Sequence, residues 1–478
     1  MGEYRNYQNN KRKRQTKKAL HKAKMDRYLY LGTAILVAIA VFCMFWSKSP
    51  VTFREYWKRV TGAGNSGDLQ KQKHEKTESR NKKTESKDKD GKLAKADVNN
   101  PSIRVLLKTS GYAEEVHPSV TLSAKAGLTV ECGGEQTNVG TSVSYKPDDP
   151  SFSKGVIRVH AADGSEISVE SIERGCGTPS YAGVIELRSS AEGIVVINEL
   201  PLESYLCKVV PSEMPADYEM EALKAQAVCA RGFTYRKLQE YAYPEYEVHV
   251  NDSTDFQVYG NVNAQEASTK AVEETAGEVI KYNGEIVTTY YYSTSCGKTT
   301  TMVAWGSEEN EQNAYLKSVE LKDKDGYYEK ALPWYRWTAT IPEELLGNLI
   351  SLNTGIEIGT LKSLTVTCTG PGDVVTQIKA VGDQGEVTVD TENKIRRALG
   401  GSGYTIQKQD GSTVDSSALL PSAFFTIEYK EGNYIIHGGG FGHGIGMSQN
   451  GANQMAAKGM NYKEILSTFF VGITIECA

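Results

Sequence analysis

Glu213 is the residue of this sequence best suited to acid–base chemistry. It follows the apolar run at 206–210, which we interpret as a strand, and it directly precedes Met214 and Pro215. Apolar neighbours disfavour the charged carboxylate, so they raise the pKa of a glutamic acid and allow it to donate a proton near neutral pH. From residue type alone, an ordinary glutamate at a helix entry is the alternative.

Two cations lie on the helix predicted after Glu213. Apolar residues recur three or four apart from Met220 to Leu238, which predicts a helix of about twenty residues. Lys224 and Arg231 are seven residues apart, or two helical turns, so both lie on one face of this helix. They are candidates for binding a substrate oxygen, and solvated surface cations are the alternative.

A second group of polar residues is YYYSTSCGKTT, at 290–300. Aromatic and hydroxyl side chains alternate there, which offers a polysaccharide stacking faces and hydrogen-bond donors. The alternative is a catalytic nucleophile, either a serine or Cys296. Such a nucleophile would need a histidine base and an orienting acid. No G-x-S-x-G turn surrounds Ser293 or Ser295.

The third group is a glycine-rich segment, HGGGFGHGIGMSQNG, at 437–451. It lacks the G-x-G-x-x-G and G-K-[ST] patterns, so a nucleotide site is disfavoured. The glycines let the backbone approach a ligand or another segment closely, with His443 and Gln449 presented beside the last predicted helix, 448–458. His249, His437 and His443 lack metal-ligand spacing, so we predict no metal and no cofactor.

Short β-branched runs bounded by Gly, Asn or Asp predict strands around these groups. The predicted strands are at 103–107, 156–160, 183–187, 194–198, 278–282, 286–292, 364–368 and 377–381. The pattern indicates an α+β, β-rich fold with at least two lobes enclosing a substrate cleft, preceded by one transmembrane helix.

Charge is segregated along the 478 residues. Residues 1–27 carry ten Lys and Arg against two acids, and residues 47–100 carry fourteen against eight, so the first hundred residues are about +14 and 101–478 about −19. The acidic body argues against nucleic acid as a partner, because phosphate binding needs clustered cations.

Residues 28–46 are uncharged and long enough to cross a bilayer as a helix. The preceding cations predict a cytoplasmic N-terminus and a body outside the cell membrane. A cleaved signal peptide is the alternative, although this run ends in bulky residues rather than small ones.

Composition also predicts the domain boundaries. Residues 1–27 form a basic cytoplasmic segment, 28–46 the membrane helix and 47–100 a charged disordered linker. The extracellular domain, 101–478, is divided into a β-rich lobe (101–200), a catalytic core segment (201–305), a second β-rich lobe (306–425) and the glycine-rich loop with the C-terminal helix (426–478).

Seven cysteines follow the predicted membrane helix, and none forms a C-x2-C pair. Neither a zinc ribbon nor a complete disulfide framework fits an odd number of this kind. Cys132 and Cys176 share a β-rich region, where pairing is one of the possibilities.

Taken in order, the motifs resemble the stage II sporulation protein D and LytB amidase-enhancer family of bacterial cell-wall proteins. The resemblance covers 101–478 and rests on IRVLLKTSGY, INELPLESYLCKVVPSEMP, LKAQAVCAR, YYYSTSCGKTT, GFGHGIGMSQNGANQMAAKG and YKEILSTFF. It implies a lytic transglycosylase that cleaves peptide-stripped peptidoglycan between N-acetylmuramic acid and N-acetylglucosamine, in sporulation (engulfment) or in wall remodelling. Its product is a 1,6-anhydro sugar.

The resemblance also implies roles for particular residues. Glu213 matches the catalytic acid of the E-M-P element, Lys224 and Arg231 match substrate-binding positions, and the Tyr-Ser region matches Tyr292, Ser293 and Ser295. Some relatives carry a Cys and His metal cluster before Q-V-Y, whereas this chain has HVNDSTDFQVY at 249–259 without a cysteine, so a zinc site is disfavoured there.

A function of another class is also open. The LytB branch suggests a non-catalytic, wall-binding enhancer that recruits a cell-wall amidase. Glu213 together with Lys224 and Arg231 favours the enzyme. The predicted partners are glycan strands, the cytoplasmic membrane and, for the alternative, an amidase.

Overall fold

The structure is a computed structural model that describes residues 100–478. The predicted cytoplasmic segment, the membrane helix and all but the last residue of the linker lie outside the described residues. No helix within residues 100–478 has the length and apolar character of a membrane span. The described residues all lie in one compact unit. The division of 101–478 into four segments stays a prediction.

A seven-stranded sheet opens the described chain. Its strands are β1 (Ser102–Leu106), β3 (Leu128–Cys132), β4 (Glu135–Asn138), β6 (Ile157–Ala161), β9 (Val184–Ser190), β10 (Gly193–Pro201) and β11 (Val250–Asn251). The order is β11-β1-β10-β9-β6-β3-β4, antiparallel except for the parallel pair β1–β11. The predicted strands at 103–107, 156–160, 183–187 and 194–198 correspond to β1, β6, β9 and β10.

Six smaller sheets complete the β structure. They are β5-β2-β7-β8 (Ser142–Tyr145, Val120–Ser123, Ile167–Val169, Ser180–Tyr181); β13-β12-β26 (Glu285–Ile286, Glu278–Tyr282, Thr474–Cys477); β14-β25 (Tyr291–Tyr292, Met447–Ser448); β15-β16 (Lys322–Asp323, Gly326–Tyr327); β22-β21-β17-β24-β23 (Thr413–Asp415, Thr405–Lys408, Trp337–Pro342, Asn433–Gly438, Phe425–Lys430); and β18-β19-β20 (Leu361–Thr369, Val375–Gly382, Glu386–Asp390). The fold is therefore mixed α and β, rich in strands and built from several sheets, as predicted. The arrangement as lobes around a cleft stays a prediction.

Seven α-helices lie among residues 100–478. They are α1 (Leu202–Glu213), α2 (Met220–Lys237), α3 (Glu266–Glu274), α4 (Glu343–Thr354), α5 (Glu392–Leu399), α6 (Gln449–Ala457) and α7 (Tyr462–Phe469). Short 3₁₀ turns occur at Ser110–Tyr112, Pro150–Lys154, Pro244–Tyr246, Met302–Trp305, Pro333–Tyr335 and Pro371–Asp373. The helices predicted near 220–238 and 448–458 are confirmed as α2 and α6, and α7 follows α6.

The strand predicted at 206–210 is wrong, because these residues lie in α1. Helix α1 packs against both α2 and α3, and Tyr205, Leu206, Val209 and Val210 are all buried. A helix covered on several sides carries apolar residues around most of its circumference, so the period of a half-exposed helix is missing from the sequence.

Helix α2 is central to the part of the fold that positions the candidate site. It contacts α1, α3, α6, α7 and β12. Its residues from Ala225 to Thr234 are all buried, and the side chain of Arg231 is completely buried. The C-terminal helices α6 and α7 therefore close over a helix that lies more than two hundred residues earlier in the chain.

The seven cysteines within 100–478 are all free. The Sγ atom of Cys132 lies 3.3 Å from the carbonyl of Ser151, and that of Cys176 lies 3.5 Å from the carbonyl of Gly260. Each thiol thus has a separate backbone contact, and the two do not form a disulfide.

Candidate active site

Glu213 is the last residue of α1, where the chain leaves the helix through an extended Met214. Its Oε1 accepts a hydrogen bond of 2.6 Å from the backbone N–H of Val258, and the side chain of Tyr291 forms another to the carboxyl. The residue keeps partial exposure, and no ion pair joins it to another residue of the described chain. It is thus an unpaired acid at the edge of the packed interior.

Burial raises the pKa of Glu213 to about 7, and the hydrogen bonds from Val258 and Tyr291 counteract only part of this effect. The C-terminal end of α1 is the negative end of the helix dipole, which also disfavours the carboxylate. Near neutral pH the group therefore exists in both protonation states, as a general acid that later acts as a base requires.

A chain of buried polar groups orients the Tyr291 hydroxyl. Thr234 on α2 donates to Oε1 of Gln257 over 2.9 Å, and Nε2 of Gln257 donates to the Tyr291 oxygen over 3.0 Å. Because that oxygen already accepts from Gln257, its own hydrogen is available to the carboxyl of Glu213. The sequence prediction included neither Gln257 nor Tyr291, although Tyr292 next to it was included.

Gln449 connects the C-terminal part of the chain to the same place. It is the first residue of α6, and its Nε2 donates to the backbone carbonyl of Glu213 over 3.1 Å. The contact satisfies a carbonyl at the end of α1 that has no partner within the helix. The structure thus brings Gln449 to Glu213 through the backbone of Glu213, and its predicted substrate contact stays a prediction.

The glycine-rich segment (437–451) packs against the Tyr-Ser segment (290–300) and does not form an open loop around a ligand. Strands β14 and β25 pair in parallel, and Phe441 exchanges two backbone hydrogen bonds with Thr294. Gly446 has a φ of +76°, and a Cβ there would lie 2.2 Å from the carbonyl oxygen of Tyr290. Only glycine permits this approach, so the glycines bring two of the predicted groups together.

Glu329 is a second buried carboxyl, which the sequence prediction missed. Its Oε1 accepts from the backbone N–H of Ser295 at 2.9 Å and from the hydroxyl of Ser448 at 2.8 Å, and Oε2 bonds to the Ser295 hydroxyl. Burial raises the pKa of Glu329 to about 7. The carboxyl is completely buried, so it supports the Tyr-Ser segment and the start of α6 without access to a ligand.

The predicted residues of the Tyr-Ser segment have unequal access to a substrate. Ser295 and Tyr292 are both buried, and the Tyr292 hydroxyl has no hydrogen-bond partner within the described chain. Ser293 is partly exposed, and its hydroxyl lies 3.1 Å from that of Thr294. Substrate contact by these residues stays a prediction, whereas the neighbouring Tyr291 forms a hydrogen bond to the acid.

Arg231 and Lys224 are both engaged by carboxylates. The guanidinium of Arg231 forms two bonds to Glu203, of 2.7 and 2.8 Å, and it is completely buried. The ammonium of Lys224 lies 2.8 Å from Glu221 and 2.9 Å from Glu274. A substrate would have to displace these carboxylates, so both residues hold α2 to its neighbours and their predicted substrate contact remains untested.

His443 is held as a neutral ring among aromatic side chains. Its Nδ1 accepts from the N–H of Ile445 at 3.1 Å, which leaves the proton on Nε2 for donation to the Tyr291 carbonyl at 3.0 Å. Burial lowers the pKa of His443 to about 4. The ring packs 5.1 Å from that of Trp305, which suits a positioning role more than proton transfer.

No group of three or more His, Cys, Asp or Glu residues within 100–478 could hold a metal ion. In the segment at 249–259, His249 accepts from the backbone N–H of Arg104 at 3.1 Å. Asp252 forms a 2.6 Å ion pair with Arg174, and both side chains are completely buried. These residues fix the segment that contains Gln257, which donates to Tyr291, and Val258, which donates to Glu213.

Two family models match this chain. The model described as Stage II sporulation protein (SpoIID) matches residues 190–282, and one described as Domain of unknown function (DUF8618) matches 290–446. A Stage II sporulation protein D of Bacillus amyloliquefaciens is 32% identical over 296 residues, which covers 59% of this chain and 75% of the relative. That of Bacillus subtilis (strain 168) is 30% identical over 331 residues, covering 65% and 86%.

This chain belongs to the stage II sporulation protein D family. An Amidase enhancer of Bacillus subtilis (strain 168) is 27% identical over 289 residues, a match that spans 56% of this chain but only 39% of that protein. The first family model contains Glu213, and the second contains Tyr291 and His443, so the candidate site draws on both matched regions.

Proposed function

We propose that this protein is a membrane-anchored lytic transglycosylase that cleaves peptidoglycan glycan strands between N-acetylmuramic acid and N-acetylglucosamine. The observation that carries the proposal is the state of Glu213: an unpaired carboxyl at the edge of the core, with a pKa raised to about 7 and two oriented donors. Family membership and the relative named Amidase enhancer support the bacterial wall as the place of action.

One carboxyl is sufficient for this reaction. Protonated Glu213 donates its proton to the glycosidic oxygen, the bond to the anomeric carbon of the muramic acid breaks, and the N-acetylglucosamine chain leaves with a free hydroxyl. The C6 hydroxyl of the same muramic acid bonds to the anomeric carbon, and its proton passes to the Glu213 carboxylate. The product is a 1,6-anhydro ring, and the acid is restored without water. Hydrolysis would ordinarily need a second carboxyl near the bond.

The N-terminal segment supports the location. An uncharged run at 28–46 follows a strongly basic segment, so the body faces the wall or the intermembrane space and the N-terminus stays in the cytoplasm. Cleavage then serves sporulation (engulfment) or wall remodelling, with a cell-wall amidase as a partner that strips stem peptides from the strands.

Mass spectrometry of products from peptide-stripped glycan strands tests the proposal with the purified full-length protein. We expect anhydro ends from the parent protein and a loss of about 10²- to 10⁴-fold in Glu213→Gln, the contribution typical of a general acid. Glu219→Gln is the matched control, since this exposed glutamate lies six residues away and makes no capping bond. Undiminished cutting by Glu213→Gln would remove this residue from the mechanism.

The same experiment separates the enzyme from the amidase enhancer. A parent protein that produces no anhydro ends, but accelerates peptide release by an added wall amidase, would replace the transglycosylase with a binding role. In that case Glu213→Gln should leave the acceleration unchanged.

A further inference from the structure

A cavity of about 430 Å³ lies in the part of the chain that matches the domain of unknown function. All of its lining residues fall between 296 and 439, inside that match (290–446) and outside the SpoIID match (190–282). Val258, Tyr291 and Gln449, which hold Glu213, are not among them. Ligand cavities span about 300 to 1,000 Å³, so this cavity has room for a small ligand.

Three polar side chains line one wall of the cavity. Thr338, His437 and Thr426 are direct cross-strand partners on β17, β24 and β23, so their side chains lie next to one another on one face of the sheet. Neither threonine hydroxyl has a hydrogen-bond partner within residues 100–478. Both hydroxyls are therefore available to a ligand.

Arg336 lines the cavity in a fixed orientation. Its Nη1 donates to the backbone carbonyls of Cys296 at 2.9 Å and Tyr335 at 2.7 Å. The guanidinium lies 4.1 Å from the centre of the Tyr335 ring and also bonds to the hydroxyl of that tyrosine. A guanidinium has five N–H groups, so at least two of them remain for a ligand.

The glycine-rich segment makes room for this cation. A Cβ on Gly439 would lie 3.0 Å from Nη1 of Arg336 and 2.8 Å from the Cβ of Cys296. Both distances are shorter than an ordinary van der Waals contact, so a side chain at position 439 would displace Arg336. Part of the glycine-rich motif thus shapes a cavity that lies apart from the residues holding Glu213.

Arg336 is the cation of the cavity that has no acidic partner. Lys298 also lines the cavity, but it forms an ion pair with Asp373, a third lining residue. No carboxylate of the described chain lies within ion-pair distance of Arg336. One positive charge therefore remains among the lining residues for an anionic ligand.

The acids just outside the lining limit the charge of that ligand. Glu428 lies 3.5 Å from His437, Glu320 is paired with Lys322, and Glu329 is completely buried. These carboxyls do not pair with Arg336, but they disfavour a ligand with two negative charges. A singly charged carboxylate, which matches the fork of an arginine, therefore suits the cavity better than a phosphate.

The aromatic residues of the cavity form an apolar floor without an open ring face. Trp337, Phe424 and Phe425 line it, yet each is at most 8% exposed. Such a floor suits a small aliphatic group and leaves no platform on which a sugar ring could stack. The end of a peptide chain combines an aliphatic side chain with a carboxylate and with backbone groups that the two threonines could bond.

We propose that this cavity binds the terminal carboxylate of a short peptide, with Arg336 as the partner of the carboxylate and Thr338 and Thr426 as partners of the peptide backbone. Binding of this kind goes beyond glycan cleavage and does not depend on Glu213. It gives a ligand to the segment described as a domain of unknown function.

Calorimetry of the full-length protein with N-acetyl-alanyl-alanine tests the site, and the C-terminal amide of the same dipeptide is the matched ligand. We expect the acid to bind about tenfold or more tightly than the amide, because hydrogen bonds between charged partners are the stronger ones. Arg336→Gln should weaken binding of the acid about tenfold or more, and Arg336→Lys should weaken it less. Arg397→Gln is the control, since Arg397 is an exposed arginine outside the cavity.

Thr426→Val separates a loss of binding from a loss of folding, because Thr426 is exposed and its hydroxyl has no partner within the described chain. We expect this variant to weaken binding of the acid about twofold to tenfold, the range for one hydrogen bond. The amide should respond to Thr426→Val in the same way but not to Arg336→Gln.

Several outcomes would overturn the proposed site. Equal binding of acid and amide, or no binding of either, would exclude it, and so would Arg336→Gln and Thr426→Val proteins that bind the acid as tightly as the parent. Inorganic phosphate that competes better than acetate would overturn the carboxylate. N-acetylmuramic acid, whose lactyl carboxylate is attached to a sugar, would overturn the peptide by binding more tightly than the dipeptide. None of these results depends on whether Glu213→Gln stops cleavage.

Discussion

At the scale of single residues, burial gives two carboxyls the same raised pKa but different uses. Glu213 and Glu329 both have a pKa of about 7 because the interior disfavours their charged forms. Glu213 remains partly exposed and has two donors, whereas Glu329 is enclosed by Ser295 and Ser448. Access therefore distinguishes the acid that can meet a substrate from the one that supports the structure.

The pH dependence of cleavage should respond to Tyr291. A general acid must start protonated, so activity should fall as pH rises through the Glu213 pKa of about 7. Tyr291→Phe removes a donor that favours the carboxylate, which raises this pKa. The falling limb of the pH–rate profile should then move to higher pH by about one to two units, since a hydrogen bond to a charged group is worth about 1.5 to 3 kcal/mol.

The pH–rate profile of product formation measures this shift, and Tyr292→Phe is its matched control. The Tyr292 hydroxyl has no partner within the described residues, so its loss should leave the limb in place. If the falling limb of the profile in Tyr291→Phe stays at the same pH or moves to lower pH, the result contradicts the proposed hydrogen bond.

Glu329 should make the protein less stable at alkaline pH. Its pKa lies near 7 in the folded protein against an ordinary value of 4.5. The free energy of unfolding therefore falls as the pH rises from about 4.5 to 7, and the loss is complete above that range. Glu329→Gln retains acceptance from Ser295 and Ser448 without the charge. We expect it to raise the free energy of unfolding by at most about 3 kcal/mol at pH 8.

Urea denaturation at pH 4 and pH 8 measures this difference, which should vanish at pH 4 because both states are then protonated. Glu219→Gln, an exposed substitution, should show no such pH-dependent gain. A variant of Glu329 that is less stable than the parent at pH 8 would mean that the charged form is the one the fold favours.

At the scale of elements, a short segment of the chain connects the large sheet to the acid. Asp252 is held by Arg174 at one end, and Tyr259 donates to Asn198 on β10 over 2.8 Å at the other. Val258 lies between these anchors, and its N–H contacts Glu213. The sheet thus fixes a donor that would be mobile in an unanchored loop.

Breaking the ion pair between Arg174 and Asp252 should lower the stability of the protein. Arg174→Met leaves the buried Asp252 without its partner, and we expect the free energy of unfolding to fall by about 3 to 5 kcal/mol. Arg174→Met with Asp252→Asn should recover part of the loss, because the amide oxygen can still accept from the N–H of Lys108. Denaturant unfolding of the single and double variants checks both expectations, and equal losses in the two would show that charge is not the cause.

Local sequence patterns explain which elements were predicted. Helix α2 was predicted from apolar residues three or four apart, and strands β1, β6, β9, β10 and β12 were predicted from short β-branched runs bounded by Gly, Asn or Asp. Helix α1 was missed because burial on several sides removes its period. In the predicted strand at 286–292, only Ile286 and the pair Tyr291–Tyr292 are in strands.

The residues of the candidate site also divide into those that a local pattern reveals and those that depend on contacts between distant parts of the chain. Glu213, Gln449 and the Tyr-Ser segment were proposed from residue types and resemblance. Gln257, Glu329 and Trp305 act through contacts between residues far apart in the chain, which no local pattern encodes. The burial of Arg231 is of the same kind, since Glu203 reaches it from a different helix, and its predicted substrate contact stays a prediction.

At the scale of the whole molecule, charge separates the basic first hundred residues from an acidic body. This asymmetry predicts that the N-terminus is cytoplasmic and the body external. Protease added outside intact protoplasts should therefore remove the residues beyond about 60, and an antibody tag at the N-terminus should survive. Protection of the body, with loss of the tag, would reverse the predicted orientation.

The contact between Gln449 and the carbonyl of Glu213 spans 236 positions of the chain. During synthesis, the acid leaves the ribosome long before the residue that caps its helix. The proposed cleavage site would therefore stay incomplete until residue 449 has been synthesised. Stop codons that fall before the codon for Gln449 should yield products without this contact, so such truncations would resemble a deletion.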